Sequence, residues 1–107
     1  MVNSVEQADA FKALAHPIRR GIVEKLSQGS ATVAEATREF PVSKPAISKH
    51  LKVLEEAGVV VRVIDGRKHR LSLDPRALEG AADWMDVQRD RWTRLFDTVD
   101  EFLKEDR

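Results

Sequence analysis

Residues 43–66 constrain this chain more than any other stretch. Ser43-Lys44-Pro45-Ala46-Ile47-Ser48-Lys49-His50-Leu51-Lys52-Val53-Leu54-Glu55-Glu56-Ala57-Gly58 is followed by a β-branched run ending at Asp65-Gly66. Ser43 is a good helix N-cap, and Pro45 fits the first turn because no intrahelical donor is lost there. Ile47, Leu51 and Leu54 recur at i, i+4 and i+7 and share one face, while Lys44, Ser48, Lys49 and Lys52 project from the other. Gly58 suits a left-handed C-terminal cap, which stops the helix near Ala57 after about four turns. The predicted helix packs on one side and is short-chained and cationic on the other.

The flanking sequence supplies its neighbours. Val5, Ala8, Phe11 and Ala15 outline a short first helix, and Pro17 opens a second with Ile18, Ile22, Val23 and Leu26, capped by His16 and closing near Gly29. Thr32-Val33-Ala34-Glu35 has the pattern of a capping box, so a third helix is expected to reach about Phe40 before Pro41-Val42 turns the chain. Val59 to Ile64 and Arg67 to Leu73 read as two strands joined by an Asp65-Gly66 hairpin turn. This wing is expected to turn His69 and apolar side chains inward and to carry Arg62, Arg67, Lys68 and Arg70 on its tip and outer face. From Pro75 a long last helix carries Leu78, Met85, Trp92 and Val99 at seven-residue spacing. Ala81 or Ala82, Gln88, Leu95 and Phe102 lie between them, and Trp84, Phe96 and Leu103 widen the stripe. The predicted fold is mainly α: four helices, a small β-hairpin wing and a fifth helix.

Charge is placed unevenly along this frame. The chain of 107 residues balances 18 basic against 18 acidic side chains. From Pro41 to Arg70, however, seven basic residues face three acidic ones, and from Asp74 to Arg107 ten acids face six bases. A cationic middle beside an anionic tail is the footprint of a protein that meets phosphate through one face. In a helix-turn-helix pair the first helix braces the nucleic-acid backbone and the second presents its N-terminal half to base edges. The candidate DNA contacts are therefore Ser43, Lys44, Pro45, Ser48, Lys49 and Lys52 on the helix, with Arg62, Arg67, Lys68 and Arg70 on the wing.

A domain this small buries only about two-thirds of its unfolded surface, so association would add stability. The chain has no cysteine, hence no disulfide, thiolate metal site or thiol redox switch. No apolar run approaches the roughly 20 residues of a membrane span, and residues 1–15 lack a signal-peptide core. No membrane partner and a cytoplasmic location are expected.

Ala13-Leu14-Ala15-His16-Pro17-Ile18-Arg19-Arg20, Thr32-Val33-Ala34-Glu35, Ser43 to Gly58, and Gly66-Arg67 with Leu71-Ser72-Leu73-Asp74-Pro75 resemble the ArsR-type winged helix-turn-helix repressors. The likeness covers nearly the whole chain, and Ser48 to Gly58 is its most specific part. It implies one winged helix-turn-helix DNA-binding domain over residues 1–107. The helix-turn-helix falls at 32–57, the wing at 59–74, and the dimerisation helices at 1–16 and 75–107. The resemblance further implies a homodimer with Phe11, Leu78, Met85, Trp92, Leu95, Phe96, Val99, Phe102 and Leu103 at its interface, binding an imperfect palindrome and usually repressing its own operon. The family's metal sensors use cysteines on the third helix or N-terminal arm, or Asp and His on the last helix. Here there is no cysteine and no histidine after His69. The chain resembles a branch without the cysteine metal-sensing motif, so no cofactor is expected, and a small-molecule or protein effector stays unassigned.

Plainer roles compete for several of these residues. The lysines at 44, 49 and 52 also suit a solvated helix face, and Arg67 and Lys68 a soluble hairpin tip; Arg19 and Arg20 fit either role. His16, His50 and His69 lie on three different elements, against a shared metal site. Asp83, Asp86 and Asp90 suit a solvated acidic face better than a cation site, and Trp84 and Trp92 a dimer core better than a ligand pocket. The alternative function is a winged-helix protein-interaction module working through its last helix without specific DNA binding. An enzyme is excluded: there is no glycine-rich phosphate loop, no cysteine, no tyrosine, and no histidine beside a nucleophile.

Overall fold

The computed structural model describes the backbone of residues 4–105 and the side chains of residues 8–105. In chain order it has α1 (Ser4–Ala13), α2 (Pro17–Leu26), β1 (Ala31–Thr32), α3 (Val33–Thr37), α4 (Lys44–Glu56), β2 (Val60–Asp65), β3 (Lys68–Leu73) and α5 (Pro75–Glu105). The helix starts follow the capping chemistry. His16 Nδ1 accepts the Ile18 N–H at 3.1 Å, and the Thr32 hydroxyl accepts from the Glu35 N–H while Glu35 Oε1 accepts from the Thr32 N–H, both at 3.2 Å. Ser43 Oγ accepts from the Ala46 N–H at 3.3 Å. α3 stops at Thr37 rather than near Phe40. Pro41 disfavours helical backbone at Phe40, and the chain turns early.

The wing differs from a simple hairpin. β1 pairs with β3, Ala31 opposite Leu71 and Thr32 opposite Arg70, giving an antiparallel sheet of order β1-β3-β2. Asp65 is the last residue of β2 and pairs with Lys68, so the connecting residues are Gly66-Arg67, not Asp65-Gly66. Of these two turn residues only Gly66 has positive φ, at +62°. That is the requirement of a II′ turn, whereas a I′ turn needs positive φ at both central residues.

One core joins these pieces. Ala13, Ile22, Leu26, Ala31, Ala36, Ile47, Leu51, Leu54, Val59, Val60 and Leu71 are buried together, with Ile18, Phe40, Ala77 and Leu78 packed against them. On α1 the buried residues are Ala10 and Ala13, while Ala8 and Ala15 of the expected stripe are exposed. The Val5 side chain lies outside the described residues. Phe11 meets Trp84 of α5 edge-on at 5.5 Å between ring centroids, tying the first helix to the last. The end of α1 is closed by α2: Arg19 donates to the carbonyls of Ala13 (2.7 Å) and Lys12 (2.9 Å), and Arg20 to that of Leu14 (2.9 Å). Arginines that sequence left open between DNA and solvent thus satisfy carbonyls at a helix end.

α5 leaves the body of the domain. Leu78, expected at a dimer interface, packs on the core of its own protomer, and Gly80 and Ala81 are buried just beyond it. From Ala82 to Glu105 every residue except the half-buried Gln88 is exposed, and the molecule extends 67 × 34 × 22 Å.

Candidate nucleic-acid interface

α4 displays the division that its sequence demands. Ile47, Leu51 and Leu54 are buried, and Lys44, Pro45, Ser48, Lys49 and Lys52 are exposed on the opposite side. Ser43 is exposed at the cap. Lys52 forms an open ion pair with Glu56 at 3.9 Å, one turn on. Such exposed pairs contribute little, so Lys52 can be redirected to another anion at small cost. The capped N-terminus also carries the partial positive charge of the helix dipole, which adds to Lys44.

On the wing, Arg67 lies in the turn, and Lys68 and Arg70 are exposed on β3. Arg70 Nη1 donates to Ser30 Oγ at 3.3 Å. Arg62 departs from the expectation. It stands opposite the fully buried Leu71 on the inner face of the sheet, donates to Glu55 Oε1 through Nη2 (2.6 Å) and Nε (3.1 Å), and meets His69 Nδ1 at 3.0 Å. Strand alternation forces this placement, since Arg62 shares its face with the buried Val60. Arg62 therefore braces the wing against the last turn of α4 and is not among the cations of the outer face.

The structure also brings together residues that sequence kept apart. His16 and His50 lie with ring centroids 4.3 Å apart, although His69 is elsewhere, against Arg62. His50 is held below the ordinary histidine range by burial first, then by His16 and Arg19. Among the described residues no group of three or more His, Cys, Asp or Glu is placed to hold a metal ion. Asp86 pairs with Arg89 at 3.2 Å.

α5 presents the second candidate surface. Met85, Trp92, Leu95, Phe96, Val99, Phe102 and Leu103 are exposed along it, with Trp92 at 61%, Phe96 at 68% and Phe102 at 67% of their maximal area. Apolar residues in this number on one helix exceed what single scattered exposures explain, and contiguous patches of this kind mark interaction surfaces.

A capped helix pair followed by a strand pair at its C-terminal side defines a winged helix-turn-helix protein. A family model described as a helix-turn-helix domain matches residues 14–63. The chain is 46% identical to the HTH-type transcriptional regulator Rv2034 of Mycobacterium tuberculosis over 79% of this chain and 77% of the relative. It is 35% identical to the transcriptional repressor SdpR of Bacillus subtilis over 72% and 86%. The solved structure of an ArsR family transcriptional regulator superposes with a TM-score of 0.76 at 28% identity, covering 86% of this chain and 95% of that one. The chain belongs to the ArsR-type family of transcriptional regulators, which act by binding DNA and are not enzymes.

Proposed function

We propose that the protein is a homodimeric, metal-independent repressor of transcription that acts in the cytoplasm, with residues 1–107 forming one DNA-binding domain. α4 enters the major groove, where Ser43, Lys44, Pro45, Ser48, Lys49 and Lys52 meet base edges and nearby phosphates, and Arg67, Lys68 and Arg70 hold the flanking backbone. Arg62 supports the wing from inside. Two copies join through α1 and α5, burying the stripe from Met85 to Leu103, and their reading helices address half-sites about one turn of DNA apart. A palindromic operator follows from that two-fold symmetry. Control of its own operon, released by a small-molecule or protein effector, fits the family.

The observation that carries this proposal is the exposed face of α4: a hydroxyl and several lysines, with the wing tip beyond them. The test captures bound DNA genome-wide, then measures affinity for the recovered site against salt and the oligomeric state by sedimentation. A dimer whose log affinity falls linearly with log salt, at a slope of about 0.9 per phosphate neutralised, is expected. Binding that ignores salt would favour a protein-interaction module instead.

A further inference from the structure

His16, at the N-terminus of α2, and His50, on α4, meet with ring centroids 4.3 Å apart. Arg19 Nη1 stands 3.5 Å from His50 Nδ1, while its Nε and Nη2 donate to the last carbonyls of α1. The groups facing His50 are thus His16 and Arg19 of the α2 segment, Arg19 being held in turn by the Lys12 and Ala13 carbonyls of α1, with Lys49 next to His50 on α4 itself. Among the described residues, no ion pair reaches Arg19 or either imidazole. A cluster of cation-forming groups without a carboxylate is short of an anion; burial first, and then the neighbouring His16 and Arg19, lower the proton affinity of His50.

The location supplies the anion. The wing is anchored on one flank of α4 through Glu55 and Arg62, and the histidine pair lies on the flank that meets α1 and α2. In the dimer proposed above, with the wing on the outer flank of α4, we place the opposite flank toward the operator centre, beside the backbone between the two half-sites. We infer that His16, Arg19 and His50 form a seat for a DNA backbone phosphodiester on the inner side of the reading helix, taken up together with a proton. This site rests on the docking of α4 proposed above. The proton moves from solvent to His50 Nδ1, the contact that this nitrogen accepts from Arg19 Nη1 is given up, and both N–H groups are freed to donate to the phosphodiester, which stays ionised. Arg19 keeps its hold on α1, which fixes the phosphate relative to the dimerisation helix as well as to α4.

The free protein holds His50 below its ordinary value of 6.5, and an adjacent phosphate stabilises the imidazolium and raises it. Between the two values the complex binds more protons than its parts, so operator affinity rises as pH falls through that window, by at most about tenfold per pH unit for each proton.

The test measures operator affinity by fluorescence anisotropy between about pH 7.5 and about pH 5.5, where histidines titrate. Wild type should tighten about threefold or more beyond His50→Gln. His16→Asn keeps a side chain suited to capping α2 yet should flatten the response in the same way, whereas His69→Gln should retain it. Coincident pH profiles for wild type and His50→Gln would overturn the site while leaving the α4 docking intact, because specific binding near neutral pH tests that docking independently. In parallel, the His50 ring proton is titrated by NMR with operator duplex and with inorganic phosphate. An upward pKa shift with duplex alone is expected; a shift with inorganic phosphate alone, or with neither, would overturn the assignment to the DNA backbone.

Discussion

Replacing Gly21 with alanine sets two opposing effects against each other with known sizes. In a helix interior alanine is favoured over glycine by about 1 kcal/mol. A Cβ at position 21, however, would lie 2.6 Å from Cε1 and 2.7 Å from Cζ of Phe40. Carbon atoms pack best at roughly 3.5–4.0 Å, so the ring edge must retreat by about 1 Å. Its backbone has little freedom to follow, since the Phe40 N–H donates to Thr37 (3.2 Å) and its carbonyl accepts from Val42 (2.9 Å) in the turn that leads to α4. Overpacking of this kind costs about 1–3 kcal/mol, which outweighs the propensity gain. Gly21→Ala should therefore lose about 1 kcal/mol net, with Tm falling by about 4–8 °C at fixed protein concentration. Phe40→Leu removes the obstructing ring edge, and on that background Gly21→Ala should become stabilising in a double-mutant cycle read by urea unfolding. A Gly21→Ala protein more stable than wild type by about 1 kcal/mol, the bare propensity gain, would refute the close packing of Phe40 on α2.

Three further outcomes follow. Arg67→Ala should weaken operator binding and lower the log–log salt slope by about one, whereas Arg62→Ala should loosen the wing and weaken binding with the slope unchanged; anisotropy across a salt series separates them. Trp92→Asp and Phe96→Asp should shift the protein from dimer to monomer in sedimentation equilibrium and lose operator affinity as a consequence, because each places a charge in the apolar stripe of α5. Glu35 is held below its ordinary value of 4.5 first by the hydrogen bond of the Thr32 side chain and then by that of the Thr32 backbone. Its contribution to stability is present above that ordinary value and lost as pH falls through the lowered one, so wild type should exceed Glu35→Gln near neutral pH and converge with it in acid.

Local chemistry was legible in the sequence wherever a single residue decides a single hydrogen bond or dihedral. His16, Thr32 and Ser43 cap the helices they precede, and Gly58 takes positive φ, +75°, just after α4. Features that depend on distant partners were not. β1 is two residues long, too short for alternation to register, and exists because β3 passes beside it. The buried face of α1 uses Ala10 and Ala13, and which of its alanines are covered depends on how the helix lies against α4 and α5. At Arg62 the information was present: strict alternation from Val60 turns it inward, and its charge drew it to the wrong face. The meeting of His16 with His50 could not be read from their separation in sequence, because it depends on how α1 and α2 dock on α4.

In the proposed complex the exposed face of α4 reads bases, a role tested by comparing Ser48→Ala and Lys49→Ala with wild type on the recovered operator and on a scrambled duplex of equal length. Both side chains are exposed and neither lies in the core, so dimerisation by sedimentation should be unchanged. Each substitution should lower operator affinity by about tenfold or more, corresponding to about 1–3 kcal/mol, and Ser48→Ala should leave scrambled binding nearly unaffected. Wild-type affinity and wild-type discrimination in both variants would contradict the placement of α4 in the major groove.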